Sequence, residues 1–259
     1  MRAVGVHADV IVVTSRIWQT TCTAVRSGEE AFVIDSPILP DELGLLPAVL
    51  DQAGFAVAGL LVTHADWDHL LGRLAFPDAA IGCAETTAAR LAAEPGAAAR
   101  ELRAFDEEHY VERSAPLSLA NVQALPVPGR CALGERELEL HPADGHTADG
   151  LACWIPWARV LVCGDHLSPV EIPMLSPGGS LDAYLATLRR LEPLVEQAET
   201  VVPGHGAPLD APRAAALLRE DVAYLEALRR DGAAAPLPLA RRTAAQRRIH
   251  AENAARIGA

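Results

Sequence analysis

Four residues able to ligate a metal ion fall within six positions, in the run His64-Ala65-Asp66-Trp67-Asp68-His69. They follow directly on the apolar stretch Gly59 to Val62, so they stand at the end of a predicted strand. A single His or Asp in such a place usually caps a turn or bonds to nearby backbone. Crowded together, carboxylates and imidazoles lose hydration and like charges repel unless a cation sits among them. The spacing therefore points to a metal centre.

Three further candidates stand in glycine-marked turns after apolar runs: His146 in Asp144-Gly145-His146-Thr147, Asp165 in Cys163-Gly164-Asp165-His166, and His205 in Pro203-Gly204-His205-Gly206. Glycine lets the backbone turn tightly and present its neighbour. A mixed imidazole and carboxylate set suits zinc, iron or manganese. Thiolate ligation is not suggested. Cys22, Cys83, Cys131, Cys153 and Cys163 are odd in number and none forms a C-x-x-C pair, so they read as small buried hydrophobes in a reducing compartment.

Taken in order, His-x-Asp-x-Asp-His, Gly-His-Thr, Gly-Asp and Pro-Gly-His-Gly resemble the motif series of the metallo-β-lactamase superfamily, its glyoxalase II-like branch above all. The resemblance runs from about the first strand to His205. It implies an α/β fold, a four-layer αββα sandwich, with one or two divalent metal ions at the edge of the sheets. Zinc is the foremost candidate. By position, His64, Asp66 and His146 would hold the first ion and Asp68, His69 and His205 the second, with Asp165 bridging. The implied activity is hydrolysis of a small ester, thioester or lactone by a metal-bound hydroxide, formed because the ion lowers the pKa of water to about 7. Asp68 would orient that hydroxide and pass a proton to the leaving group.

One position departs from the pattern. Asp66 stands where most hydrolases of this family have a histidine. A carboxylate is shorter and harder than an imidazole, and a third carboxylate brings two divalent ions and a hydroxide to neutrality, which opens the site to iron or manganese. The flavodiiron branch carries a glutamate there, so a dinuclear iron oxidoreductase is the rival reading, although the chain is too short to hold a flavodoxin domain as well. A metal-poor binding or regulatory protein, its first site disabled by Asp66, is the third.

The elements that must position these residues are legible as runs. Strands are expected at Val10 to Val13, Ala31 to Ile34, Val57 to Val62, Asn121 to Leu125, Leu138 to His141, Leu151 to Ile155, Val160 to Cys163 and Thr200 to Val202. Helices are expected at Leu39 to Ala53, closed by Gly54, and at Ser180 to Gln197, opened by a Ser180 N-cap. A helical insertion spans residues 85–113 and is split at Pro95-Gly96, where it can cover the pocket with Glu107, Glu108, His109 and Tyr110. After His205 the chain reads as helical over residues 211–259, broken at Ala235 to Leu239. The whole is expected to be one domain over residues 1–259.

A net charge of −12 disfavours a nucleic-acid partner and leaves a small-molecule substrate. From Arg213 onward nine arginines meet five acidic residues, a balance of +4 against −16 elsewhere, read as a solvated helical face. No apolar run is long enough to span a membrane, and the first residues lack a signal-peptide pattern, so the expected location is cytoplasmic. His166 is expected to point away from the site by strand alternation. Trp67 reads equally as a substrate wall or a core anchor, His250 and Asn253 as a surface pair, and His7, His109 and His141 as structural.

Overall fold

The computed structural model describes residues 1–258, and Ala259, the end of the expected helical segment, lies outside them. The first sheet contains β1 (Arg2–His7), β2 (Val10–Thr14), β3 (Thr21–Ser27), β4 (Glu30–Asp35), β5 (Val57–Leu61), β6 (Ala80–Ala84) and β7 (Val122–Leu125), hydrogen-bonded in that order. The second contains β8 (Gly129–Leu133), β9 (Arg136–Pro142), β10 (Leu151–Ile155), β11 (Val160–Val162), β12 (Thr200–Val202) and β13 (Leu209–Asp210), in the order β13-β12-β11-β10-β9-β8. Pairs from β4 to β7 are parallel, as is β11 with β12, and the others are antiparallel.

Strand alternation sorts side chains into separate cores. Val10, Val12, Ile34 and Leu61 of the first sheet meet Leu140, Leu151, Cys153, Ile155, Val160 and Val162 of the second. Their neighbours Val13, Val33 and Leu60 face outward onto α1 (Pro40–Gln52) and, past the single turn α2 (Gly72–Ala75), onto α3 (Glu85–Ala93) and α4 (Ala97–His109). On the second sheet Ala152, Trp154 and Leu161 face α5 (Leu181–Gln197) and α6 (Ala211–Asp231), with α7 (Ala244–Ile257) packed against that layer. The result is the expected αββα sandwich.

Local chemistry explains the helix limits. Ser180, Asp210 and Thr243 accept hydrogen bonds from the backbone N–H three residues on, capping α5, α6 and α7. The insertion divides into α3 and α4 at Gly96, whose φ of 77° is left-handed.

Five strands lie outside the expected runs. β1 is a half-exposed edge, β13 has two residues, and β8 alternates exposed and covered positions without a strong apolar face. β3 and β6 are central, and their sequences TCTAVRS and AIGCA hide this: buried on both faces beside other strands, they use Thr, Cys, Gly and Ala where volume is restricted.

Eight of the nine C-terminal arginines are exposed, as the solvated-face reading expects, while one arginine and the expected surface pair depart from it. Arg241 is not on a solvated face: it is 1% exposed and paired with Glu220 and with Asp221, whose Oδ1 lies 2.6 Å away. Asn253 is 0% exposed rather than half of a surface pair, and His250 instead contacts the Tyr224 hydroxyl at 3.0 Å. A polar side chain so buried must have partners, and Arg241 and Asn253 find several of theirs in the loop beside the candidate site. Among the described residues no helix is long and apolar enough to cross a membrane.

Candidate metal centre

All seven expected ligands converge at one edge of the sandwich. β5 delivers His64 and Asp66, and the single helical turn Trp67–His69 folds Asp68 and His69 back beside them. The turn between β9 and β10 carries His146, and Asp165 and His205 follow β11 and β12. His64, Asp66 and His146 form one group, and Asp68, His69 and His205 another, each with ligand atoms within 4.8 Å of one another. Asp165 lies between the groups. Its Oδ1 is 3.1 Å from His69 Nε2, and its Oδ2 is 3.3 Å from His146 Nε2, 3.4 Å from His205 Nε2 and 3.7 Å from His64 Nε2. Gly204 makes this approach possible, because a Cβ there would overlap the Asp165 carboxylate.

Outer partners set the imidazole tautomers. Thr63 donates its only hydroxyl proton to Asp35 Oδ2 at 2.9 Å, so toward His64 Nδ1, 3.0 Å away, the same oxygen can only accept. His69 Nδ1 donates to Asp35 Oδ2, His146 Nδ1 to the Met174 carbonyl and His205 Nδ1 to the Trp18 carbonyl, at 3.0, 2.9 and 3.1 Å. In the neutral ring each Nε2 is then a lone pair aimed inward. This is the usual arrangement around metal-binding histidines, an outer acceptor fixing the ring that ligates.

Buried Nε2 atoms of His64 and His69 and Oδ1 of Asp165 have no hydrogen-bond partner among the described residues. Orphaned donors and acceptors of this kind are rare in folded proteins, and here they face one another, so the residues fit one or two divalent cations. Electrostatics agree. Burial opposes charge on His146 and His205, but the surrounding carboxylates outweigh it and raise them to about 9 and about 10. Burial would also raise Asp66, yet His146, His64 and Arg90 hold it well below the usual carboxylate range. A cation competes with protons for the same lone pairs, so metal uptake displaces them.

Asp66 has a partner that the sequence reading missed. Its Oδ1 accepts from Arg90 of α3 at 2.8 Å, and its Oδ2 lies 3.3 Å from His146 Nε2. Arg90 also donates to Asp149 Oδ1 at 2.9 Å, and Asp149 Oδ2 accepts from the Ala65 backbone N–H at 2.9 Å. The Arg90 bridge from helix to ligand loop, one charge-assisted hydrogen bond to each carboxylate, fixes which oxygen of Asp66 faces the imidazoles. Asp149, two residues past Gly-His-Thr, and Asp35, ending the apolar run of β4, had weak signals as acidic residues at strand ends; Arg90, among the charges of an alanine-rich helix, had none.

A second support comes from the C-terminal part. Asn253 accepts from Leu175 N and donates to the Pro173 carbonyl, Gln246 accepts from Ile172 N, and Arg241 donates to the carbonyls of Ser168 and Glu171. That loop in turn supplies the Met174 carbonyl to His146, while Ser168 donates to the His205 carbonyl at 2.8 Å. The C-terminal part thus holds the loop that orients the His146 ring and bonds the His205 backbone.

His166 is in neither ligand group; its Nδ1 donates to the Cys163 carbonyl at 3.1 Å, and burial lowers it to about 4. Trp67 is anchored among aromatic side chains and also reaches a cleft. It packs on Trp18 and Phe105, with ring centroids 5.5 and 4.8 Å away, and it lines a cleft of about 270 Å³ with Asp66, Asp68, Arg90, Glu94, Glu101, Ser176 and Pro177. The insertion therefore does reach the cleft, but through Arg90, Glu94 and Glu101 in place of Glu107, Glu108 and Tyr110; Tyr110 is 95% exposed, and His109 stacks on Phe105. The cysteines are free and all but Cys131 are buried.

Comparison with known proteins agrees with this geometry. The model of the metallo-beta-lactamase superfamily matches residues 16–205. Among solved structures, the metallo-beta-lactamase family protein TTHA1429 from Thermus thermophilus is 22% identical, with a TM-score of 0.68 over 98% of this chain and 96% of that one. A beta-lactamase domain protein from Burkholderia ambifaria is 20% identical, TM-score 0.68, covering 98% and 86%. A metallo-beta-lactamase from Pontibacter korlensis is 20% identical, TM-score 0.63, covering 84% and 98%.

Proposed function

The chain belongs to the metallo-β-lactamase superfamily and is a metal-dependent hydrolase, and within that class we propose that it cleaves a small ester, thioester or lactone in the manner of the glyoxalase II-like branch. The observation that carries this reading is the convergence of four inward Nε2 atoms on the Asp165 carboxylate. His64, Asp66 and His146 would hold one ion and Asp68, His69 and His205 the other, with Asp165 shared. Zinc suits the imidazole-rich set. Divalent ions there supply Lewis acidity toward a carbonyl oxygen and make water nucleophilic at neutral pH.

The rest is the work of the chain's own residues. Asp68 lines the cleft, so its carboxylate can take the proton of the attacking water and return it to the leaving group. Arg90 holds Asp66 in one orientation, and the Asp35 carboxylate does the same for His69. Trp67 and Pro177 wall the cleft and limit bulk water around the scissile bond. The net charge of −12 suits a small-molecule substrate and not a nucleic acid, and free buried thiols suit the cytoplasm, where we place the protein.

The test is a panel of aryl esters, thioesters and lactones. Turnover should be abolished by a chelator and restored by added zinc. Turnover that survives complete metal removal would contradict the reading, and iron with a visible absorption band in purified protein that hydrolyses no member of the panel would move it to the iron oxidoreductase that the Asp66 carboxylate allows.

Arg90 gives a finer expectation. Arg90→Ala frees Asp66 Oδ1 and should weaken metal binding at the His64, Asp66 and His146 group by about 10- to 100-fold, the usual loss for an outer partner of a ligand. The Asp68, His69 and His205 group should keep its ion. Asp66→His should raise zinc occupancy of the first group, since imidazole is the longer and better zinc ligand. Calorimetric zinc titration of the two variants separates the sites, and identical stoichiometry and affinity in both and the parent would remove Asp66 from the ligand set.

A further inference from the structure

The cleft beside the ligand loop does not end at Arg90. A second cavity of about 500 Å³ lies under the helical insertion, and the two share Arg90, Glu94 and Glu101 as common lining. Its floor reaches Ala65, the residue between His64 and Asp66. Its walls come from α3, the turn at Pro95-Gly96, the start of α4 and the edge strand β7. Apart from the three charged residues at the junction, every lining side chain is apolar or absent. Six are alanines, Ala65, Ala88, Ala92, Ala97, Ala98 and Ala124, with Leu91, Leu119 and Val122 beyond them.

Small-molecule sites have this make-up, an apolar chamber with a few polar groups at one end. The polar end is where the chemistry lies. Arg90 is already committed to Asp66 and Asp149, so the charge left free at the junction is that of Glu94 and Glu101. An arm carrying a carboxylate or phosphate would meet two like charges there. The alanines give width, and the volume is enough for roughly ten methylene-sized groups at roughly 30 Å³ each with room left over.

We propose that this cavity is the acyl or alkyl subsite of the enzyme: the substrate is an uncharged ester, thioester or lactone whose aliphatic arm passes between Arg90 and the Glu94 and Glu101 carboxylates into the alanine-lined chamber. The inference rests on the hydrolase reading for the reacting bond. It rests on the cavity alone for the arm, so the two are tested apart.

The first arm of the experiment is a series of p-nitrophenyl esters from acetate to decanoate. Each added methylene is worth about 0.8 kcal/mol on full burial, so kcat/KM should rise about three- to fourfold per carbon until the chamber is full. Ala92 and Ala124 line the chamber and are exposed, so Ala92→Phe and Ala124→Phe fill it without overpacking a core. Both should erase the gain for long chains while leaving acetate turnover and metal content unchanged. The second arm needs no turnover: binding of N-butylacetamide and N-octylacetamide, followed by NMR titration of the parent and both variants. Octyl should bind about 80- to 250-fold more tightly than butyl in the parent, from the same gain of about 0.8 kcal/mol per methylene, and lose that advantage in the variants. If no ester turns over but this pattern holds, the subsite stands and the ester-cleavage reading fails. Chain length without effect on either kcat/KM or amide binding would overturn the subsite. So would an effect unchanged in both filled variants, or a parent dimer dissociated by Ala124→Phe, which would give the chamber to a second copy of the chain.

Discussion

Replacing Asp165 with alanine should strip metal from both ligand groups and reduce hydrolysis to background. Asp165 is the one carboxylate within 3.7 Å of all four inward imidazoles, through both of its oxygens. Loss of a partner outside the ligand set typically weakens metal binding about 10- to 100-fold, and loss of a shared ligand should exceed that. Asp165→Asn separates shape from charge: it keeps the side-chain volume over Gly204 and should still lose metal. Stability should fall with the metal, because an ion bound only by the folded state adds stability by mass action. Metal-to-protein ratio after gel filtration and thermal unfolding with and without zinc are the measurements. A full complement of metal in both variants would contradict the shared position.

The second large effect lies away from the ligands. Arg241→Ala should destabilise the protein by about 3 to 5 kcal/mol, the range for breaking a buried ion pair from one side. It leaves Asp221 buried without its guanidinium and frees the carbonyls of Ser168 and Glu171. Because the same loop orients the His146 ring and bonds the His205 backbone, hydrolysis should fall more than the unfolded fraction explains, and Asn253→Ala should share that second effect. Urea unfolding beside turnover per folded molecule distinguishes the two. A variant as stable and as active as the parent would show the C-terminal clamp to be idle.

The same pair gives stability a pH dependence of definite sign. Burial pushes the Asp221 carboxyl up to about 7, the Arg241 guanidinium pulling only partly against it. An acid whose folded pKa is raised binds its proton more readily in the folded state, so its contribution is fully present below its unfolded pKa of about 4 and is lost as pH rises through about 7. Asp221→Asn carries no such proton and should gain stability relative to the parent between about pH 4 and pH 8. A variant that loses ground over that range would mean Asp221 is ionised by its pairing with Arg241.

The contrast between what was legible and what was not has a physical basis. The candidate ligands were legible because metal binding tolerates few residue types and places them close together at strand ends. The sandwich followed from β2, β4, β10 and β11, whose apolar runs feed two cores at once. β3 and β6 were not legible, since strands squeezed between neighbours use small residues that carry no periodic signal. Arg90, Asp149 and Asp35 act across 24, 59 and 34 residues of chain, as Arg90 to Asp66, Arg90 to Asp149 and Asp35 to His69, and local patterning does not encode such pairings. Asn253 and Arg241 misled for the complementary reason. Polar residues on a helix or in a break look solvated until the loop whose backbone they satisfy is in place.

The central claim, that Asp165 gathers the imidazoles around divalent ions, is tested most directly by elemental analysis of protein purified without added metal or chelator. One to two zinc ions per chain, falling on His69→Ala or His205→Ala, is the predicted result. A folded, hydrolytically active protein with a ratio near zero, or a ratio that neither substitution changes, would contradict it.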